Sequence, residues 1–278
     1  SAPYPDTGTF VPRQGEVGVR GSIGISLYSG AEIFMYSLSV PQGTNSLKPT
    51  LELFYNSHQS KLRQDYIGGG WSLTQNYIER LVNHSSSNIS DDKFVLVLNG
   101  NYQKLVFSSL DQRYHTEVES FMHITNLSGG DNANGQYWIA KTKDGTSYRF
   151  GFINNSELIS NLHNYTVRWN LDLVNDTYNN SIFYSYLEDP FTNDSGTSYL
   201  DKIEYNNDKS RKIEFLWESA DRPDLITTYE EGNKISNSRR LKEVIASANN
   251  SLVSRYVIEY INFEPISELT FISNITEY

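Results

Sequence analysis

The sequence predicts an all-β chain: antiparallel strands and hairpins that form a large curled sheet, a sandwich or a barrel. Three observations carry this. Asn99-Gly100 and Asp144-Gly145 each stand between two strand-like runs. Such pairs reach the positive φ that a tight hairpin turn needs. Tyrosine (20) and phenylalanine (13) are abundant, with asparagine, serine and glycine crowding the gaps between them. Aromatics favour strands and the small polar residues favour turns. Strand-like runs recur at short spacing with no convincing amphipathic helix between them, which favours an antiparallel sheet over a βαβ architecture.

Taken in order, residues 1–30 read as an irregular N-terminal arm. Pro3, Pro5 and Pro12 block pairing, and five glycines from Gly15 to Gly30 punctuate the rest. Residues 31–278 read as one β domain whose sheet can continue beyond this segment. Phe34, Tyr36, Leu38 and Val40 alternate with polar or smaller neighbours, and Leu51, Leu53 and Tyr55 form the next alternating face. Then comes Tyr66-Ile67-Gly68-Gly69-Gly70-Trp71-Ser72-Leu73, a glycine-rich corner that ends in tryptophan. Glycine lets backbones approach closely there, and the indole is expected to bury beneath the reversal. The hairpins follow: strands at 94–98 and 102–107, then 136–141 and 146–150.

Val167–Leu173 is the next strand. A polar turn over Asn175–Ser181 leads into 182–187, where Ile182, Tyr184 and Tyr186 share one face. Strands at 212–217 and 253–261 complete the reading. Residues 241–246 could form a short helix, but β-branched Val244 and Ile245, followed by a run able to pair, favour a strand.

Bulk properties narrow the function. With 33 acidic and 23 basic side chains the net charge is −10, which argues against nucleic acid or an anionic membrane as main partner. The absence of cysteine excludes disulfides, thiolate nucleophiles and cysteine-ligated metals. No apolar run is long enough for a membrane span. Export remains compatible with this composition.

Motifs that carry chemistry are missing. His58, His84, His115, His123 and His163 are scattered, and none belongs to a zinc-binding HExxH. Asp131–Gly135 has a faint calcium-loop pattern, but Thr142 stands where the bidentate glutamate belongs, so it reads as a turn. No G-x-S-x-G elbow occurs. Trp71-Ser72 occupy the place where a P-loop needs its lysine. Glu117 and Glu119 alternate as a pair on one face of a strand, facing water. Asp91-Asp92 and Glu230-Glu231 read as solvated loop charges. Ten N-x-S/T sequons would be glycan sites on exposed loops of a secreted eukaryotic protein, and an asparagine- and serine-rich chain also produces them by chance.

A family resemblance enters at specific residues. Pro49, Leu51, Leu53, Tyr55, Asn56 and Ser57, followed by Gly68, Gly70, Trp71 and Ser72 and then Arg80, resemble the start of the SpvB-type N-terminal domain. Insecticidal toxin complex (Tc) B components and RHS/YD-repeat toxins share that entry. The run Trp138–Gly151, with Asp144, Gly145, Tyr148, Phe150 and Gly151, is similar to a later family hairpin. Trp169 through Tyr184 and Tyr186 resembles the next segment, with Asn179 where the family usually has glycine; asparagine also tolerates left-handed backbone. Arg222-Pro223-Asp224, Arg240-Leu241-Lys242 and Arg255–Tyr260 match the later pattern, so the resemblance covers roughly residues 30–262.

The resemblance implies a non-catalytic structural module of a secreted, multi-domain toxin or virulence protein, part of an RHS-like β-shell that encloses or docks a toxic effector. Partners would be other domains of the same polypeptide or toxin-complex subunits. No cofactor, metal or catalytic residue is expected. An extracellular glycan- or receptor-binding β-domain is the alternative, because tyrosine and tryptophan with polar loops also suit sugar stacking. A carbohydrate-active enzyme ranks third, lacking any motif.

Overall fold

The computed structural model describes residues 21–25, 32–57, 66–83, 88–262 and 269–278. The expected fold class holds: among these residues the regular structure is antiparallel β with two short 3-10 turns.

Four strands form the first sheet: β1 (Gly21–Ile25), β2 (Glu32–Ser37), β3 (Glu52–Asn56) and β4 (Trp71–Leu73), paired in that order. The arm expected to be irregular therefore contains a strand at 21–25, whose backbone pairs with β2 from Gly21–Tyr36 to Ile25–Glu32. The remainder of the arm lies outside the described residues. β2 stops at Ser37, earlier than the alternation through Val40 suggests, although the Leu38 N–H still donates to the Leu51 carbonyl (2.9 Å).

The second sheet holds the architecture. Its first strands are β5 (Tyr77–Leu81), β6 (Lys93–Leu98), β7 (Asn101–Ser108), β8 (Arg113–Thr116), β9 (His123–Ser128), β10 (Gln136–Lys141) and β11 (Ser147–Phe150). β12 (Glu157–Ile159) is short, and β13 (Thr166–Asn175) is long. β13 pairs with β5 through Arg168–Asn170 and with β11 through Leu171–Asn175. That double pairing closes β5–β11 and β13 into an eight-stranded barrel. Closure removes exposed edges and needs a filled interior at this strand number. Phe94, Tyr114, Trp138 and Trp169 fill it, with ring centroids 4.9–5.9 Å apart at angles of 60° or more.

The sheet also branches at β13. Beyond Asn170, on the edge where β5 has left, β14 (Ser181–Glu188) pairs with Leu173–Asn175. From it the sheet runs outward through β15 (Ser198–Tyr205), β16 (Arg211–Trp217), β19 (Leu241–Ala248), β20 (Ser251–Asn262) and β21 (Thr270–Glu277). Residues 241–248 are strand, as the β-branched pair indicated. A separate hairpin, β17 (Thr228–Glu230) and β18 (Asn233–Ile235), is inserted between β16 and β19.

The four-stranded sheet packs against this extension. Tyr36 meets Tyr256 edge-on at 6.3 Å. The Ser39 N–H donates to the Tyr256 hydroxyl (2.7 Å), and the Tyr205 hydroxyl donates to the Pro41 carbonyl (2.6 Å). Leu51 and Leu53 share one continuous core with Ile203, Phe215, Val244 and Ile258.

Candidate functional site

The glycine corner is the joint between the two sheets. Gly68 and Gly70 have φ of +97° and +77°, which side chains rarely adopt. The turn closes on itself, the Trp71 N–H donating to the Gly68 carbonyl (3.2 Å) and the Asn56 N–H to the Gly70 carbonyl (2.9 Å). It then reaches across: the Gly69 N–H donates to the Thr270 carbonyl (2.7 Å), and the Leu241 N–H donates to the Tyr66 carbonyl (2.9 Å). A Cβ on Gly68 would lie 2.7 Å from the Thr270 oxygen, and one on Gly70 would lie 2.7 Å from the Tyr55 ring. Close backbone approach is therefore the physical reason for the glycines.

Thr270, at the start of β21, gathers two further partners. Its N–H donates to Asp224 (2.8 Å) and its hydroxyl accepts from Arg240 (3.1 Å). Asp224 receives the buried Arg222 guanidinium at 2.7 and 3.3 Å. Burial opposes the Asp224 charge, but the Arg222 hydrogen bonds and charge, joined by Thr270, outweigh it and hold the carboxyl below the usual range. Arg240 grips Glu218 through two hydrogen bonds (2.6 and 3.0 Å) and lies 4.4 Å above the Tyr260 ring. Burial, reinforced by Glu218, pushes the Tyr260 hydroxyl up. Its proton is committed to the Leu241 carbonyl at 2.5 Å.

A second joint lies at the barrel closure. Gly151 (φ +70°) passes so close to Trp169 that any Cβ would strike the indole ring. Its N–H donates to the Asn170 carbonyl (2.9 Å). Asp172, in β13, is buried and collects donors from Arg149 Nε (2.6 Å), Phe152 N (2.6 Å), Ile153 N (3.1 Å) and Ser156 Oγ (2.9 Å). The Tyr186 hydroxyl donates to the Leu171 carbonyl (2.8 Å), and Tyr184 is buried beside it. At the turns, Asp144 accepts from the Thr142 hydroxyl (2.5 Å) and the Thr146 N–H (3.1 Å), which lower its carboxyl below the usual range. Asn179 has φ +68°, the left-handed conformation expected of it.

Arg80 sits at one end of the barrel. Its side chain pairs with Asp92 (3.2 Å), donates to the Thr166 carbonyl (2.9 Å) and faces Phe94, Tyr165 and Trp169 at 5.3–5.7 Å. On β13, Arg168 binds Glu79 at 2.6 and 3.1 Å and covers the Tyr77 ring at 4.2 Å. Burial disfavours its charge, but Glu79 outweighs burial and raises its basicity.

Several expectations need correction. Trp71 is half-buried, not buried: it stands on an edge strand against Tyr55 and Phe34, with ring centroids at 5.4 and 5.9 Å. The fully buried tryptophans are Trp138 and Trp169, which occupy the closed barrel. Glu117 and Glu119 are exposed but lie in a bend after β8, not in a strand, because β8 ends at Thr116. Asp92 is no solvated loop charge: its carboxylate is inaccessible and neutralises Arg80. Glu231 is half-buried and accepts from the Val82 N–H, whereas Asp91 is exposed.

His58 and His84 lie outside the described residues. His115 faces Asp111 (2.9 Å), His123 faces Arg113 (3.4 Å) and His163 stacks on Tyr165 (5.6 Å). Among the described residues no three His, Cys, Asp or Glu gather as metal ligands. The Asp131–Gly135 segment is a turn held from within and from β12: Asn132 Oδ1 accepts from the Gly135 N–H (2.5 Å), and Glu157 accepts from the Ala133 N–H (2.8 Å).

Pro49, Leu51 and Leu53 are buried, Ser57 Oγ accepts from the Glu32 N–H (2.9 Å), and Ser72 pairs with Phe54. Tyr148 and Phe150 pair into the barrel through β10, and Gly145 occupies the turn before them at φ +88°.

Sequence reasoning missed Asp172, Glu157 and Thr270. Asp172 had a signal, a carboxylate inside a strand otherwise rich in core residues. Thr270 had none, because its role comes from the chains it meets. A cavity of about 30 Å³ lies behind the corner, lined in part by Tyr66, Ile67, Arg168, Asn170 and Trp217. That volume fits one water-sized group and no sugar.

Comparison with known proteins places this arrangement. The crystal structure of TcdB2-TccC3 superposes with a TM-score of 0.75 at 15% identity, over 92% of this chain and 16% of that one. The N-terminal domain of effector protein SpvB from Salmonella typhimurium strain LT2 superposes with a TM-score of 0.69 at 20% identity, over 87% of this chain and 98% of that one. A Photorhabdus luminescens Tc holotoxin pore gives 0.70 at 16% identity, over 99% of this chain and 16% of that one. At these identities the likeness is one of fold, and this chain spans about a sixth of the Tc chains. No curated protein sequence matches. No helix among the described residues is long and apolar enough to cross a membrane. Residues 28–228 match the sequence family described as Salmonella virulence plasmid 65kDa B protein, SpvB, and the chain belongs to that family.

Proposed function

We propose that this chain is a non-catalytic structural module of a secreted, multi-domain toxin or virulence protein, and that it helps to build a β-scaffold that encloses or docks an effector. One observation carries the reading. The family residues serve turns, core and inter-sheet bonds: Gly68 and Gly70 let the corner reach Thr270, Gly151 admits Trp169, Arg80 plugs the barrel, and Tyr186 ties β14 to β13. Residues at such positions set a shape. The strong carboxylates near them are occupied as well, Asp172 and Asp224 by arginine and backbone donors.

The partners in this reading are other domains of the same polypeptide or toxin-complex subunits. Leu252, Val253 and Ile261 on β20 are exposed (59%, 51% and 44%) and are available as apolar contacts for such a neighbour. The test compares this segment alone with the segment joined to its native flanking sequence, by analytical ultracentrifugation and by screens for hydrolysis of glycosides and peptides. Self-association of the isolated segment, suppressed by the flanks, with no turnover in either form, supports the proposal. Turnover of a defined substrate, or glycan binding lost on mutation of an exposed aromatic such as Tyr178, would overturn it.

A further inference from the structure

The eight-stranded barrel is closed unevenly. Seven of its neighbouring strand pairs share three to six residue pairs in register. The eighth, β8 with β9, has a single pair, Tyr114 opposite Ile124. The bends on either side of β8 hold residues with left-handed backbone, Gln112 (φ +59°) and Phe121 (φ +57°), and a bulky aromatic there stores strain. Tyr114 points inward from this seam onto Trp138 (4.9 Å) and Phe94 (5.8 Å). The seam is thus the least tied part of the wall around the aromatic core.

Titratable groups line its outer face. Arg113 Nη1 lies 3.4 Å from His123 Nε2, across the seam. A guanidinium only donates, so a hydrogen bond here needs the imidazole nitrogen to accept. The antiparallel register about Tyr114 and Ile124 brings His115 level with His123, and Lys141 of β10 pairs directly with His123 on its other side. His115 has its own counter-ion in Asp111 (2.9 Å), in the turn that precedes β8. On β7, His115 faces the apolar Val106. In the bend after β8, Glu119 accepts the Phe121 N–H (2.6 Å), and Lys143 lies 5.9 Å from the Phe121 ring. His123 thus contacts the Arg113 guanidinium across the seam and has Lys141 as its register partner on β10.

We propose that the β8–β9 seam is a pH-sensitive opening point of the barrel, released when protonated His123 repels Arg113 and Lys141. Histidine is the side chain that gains charge as pH falls from 8 to 5. Protonation removes the Arg113 hydrogen bond and sets like charges within 4 Å, where their repulsion survives partial screening. Because one residue pair holds the seam, local opening there precedes loss of the neighbouring strands. Opening brings water to Tyr114 and to the buried Trp138 indole N–H, which has no hydrogen-bond partner. The low-pH form therefore exposes an aromatic surface that the neutral form conceals.

Hydrogen exchange read by mass spectrometry tests this, with rates corrected for the intrinsic effect of pH. At pH 5.0, peptides spanning 113–116 and 123–128 are expected to exchange roughly fivefold faster than at pH 7.5, while 241–248 in β19 stays constant. His123→Gln and, separately, Arg113→Gln should abolish the increase, and His115→Gln should leave it. High salt should shrink it in the unaltered protein, which requires no variant. An increase retained in His123→Gln, an equal rise in 241–248, or no rise at pH 5.0 would overturn the proposal.

Discussion

The Gly69 N–H donates to the Thr270 carbonyl at 2.7 Å, joining the corner before β4 to the first residue of β21. The corner leads into the four-stranded sheet and Thr270 begins a strand of the branched one, so this bond and its neighbours hold the two sheets together.

Gly68→Val is expected to be the most damaging change at this corner. It places a β-branched residue at φ +97° with its Cβ 2.7 Å from the Thr270 oxygen. A loss of about 2–4 kcal/mol follows from the strain and displacement. Gly100→Ala is the control: its φ is +78°, but nothing lies within 4 Å of the added carbon, so the loss should be about 1 kcal/mol. Urea unfolding midpoints compare the two. Equal losses would show that the Thr270 approach contributes nothing.

The tryptophans should rank by burial. Trp169→Ala and Trp138→Ala each empty a site in the closed barrel and should cost about 3–5 kcal/mol or prevent folding. Trp71→Ala, on its half-buried edge strand, should cost about 1–2 kcal/mol. A Trp71 loss as large as that of Trp169 in thermal melts would contradict this order.

Asp172→Ala should destabilise by about 3–5 kcal/mol, because it strands Arg149 and three further donors around a buried site. Asp172→Asn keeps the volume but loses the charge, and should retain part of the stability. Identical unfolding curves for Ala and Asn would mean that the carboxylate's hydrogen bonds are irrelevant.

Glu188 gives a pH signature. Partial desolvation of its carboxyl, although the residue as a whole is exposed, with Asp189 and Glu157 adding repulsion, pushes its pKa up to about 7. A carboxyl with a raised folded pKa holds its proton better when folded, so its contribution to stability grows as pH falls through about 7 and is lost above it. Glu188→Gln should therefore raise Tm by about 1–2 °C at pH 8, an effect kept small by solvent around this exposed residue, and change little at pH 5. A Tm gain that is the same at both pH values would contradict the assignment.

Much of the fold was legible because its signals are local. Asn99 (φ +50°) and Gly100 (φ +78°) make the hairpin turn between β6 and β7, as the dipeptide indicates, whereas between β10 and β11 only Gly145 (φ +88°) of the Asp144-Gly145 pair is left-handed, in a longer turn over residues 142–146. Period-2 alternation located β14, β16 and β20 to within two residues. Short strands without strong alternation escaped notice: β8, β12, β17 and β18 have three or four residues each and gain their order from neighbours. Asp92 read as loop charge because nothing local reveals that Arg80 comes to meet it at 3.2 Å.

By itself, the sequence determined the all-β class, the hairpin turns and the need for glycine at the corner, since each depends on backbone preferences over a few residues, while its ordered series of motifs carried the family resemblance. Only the tertiary structure decided that β13 closes a barrel on one half and opens a branch on the other. It also decided that Trp138 and Trp169, and not Trp71, lie at the centre, and that Thr270 receives the corner. The physical reason is that strand partners and burial follow from contacts between distant segments. A strand's pattern states which face is apolar, but it does not name the surface that will cover it.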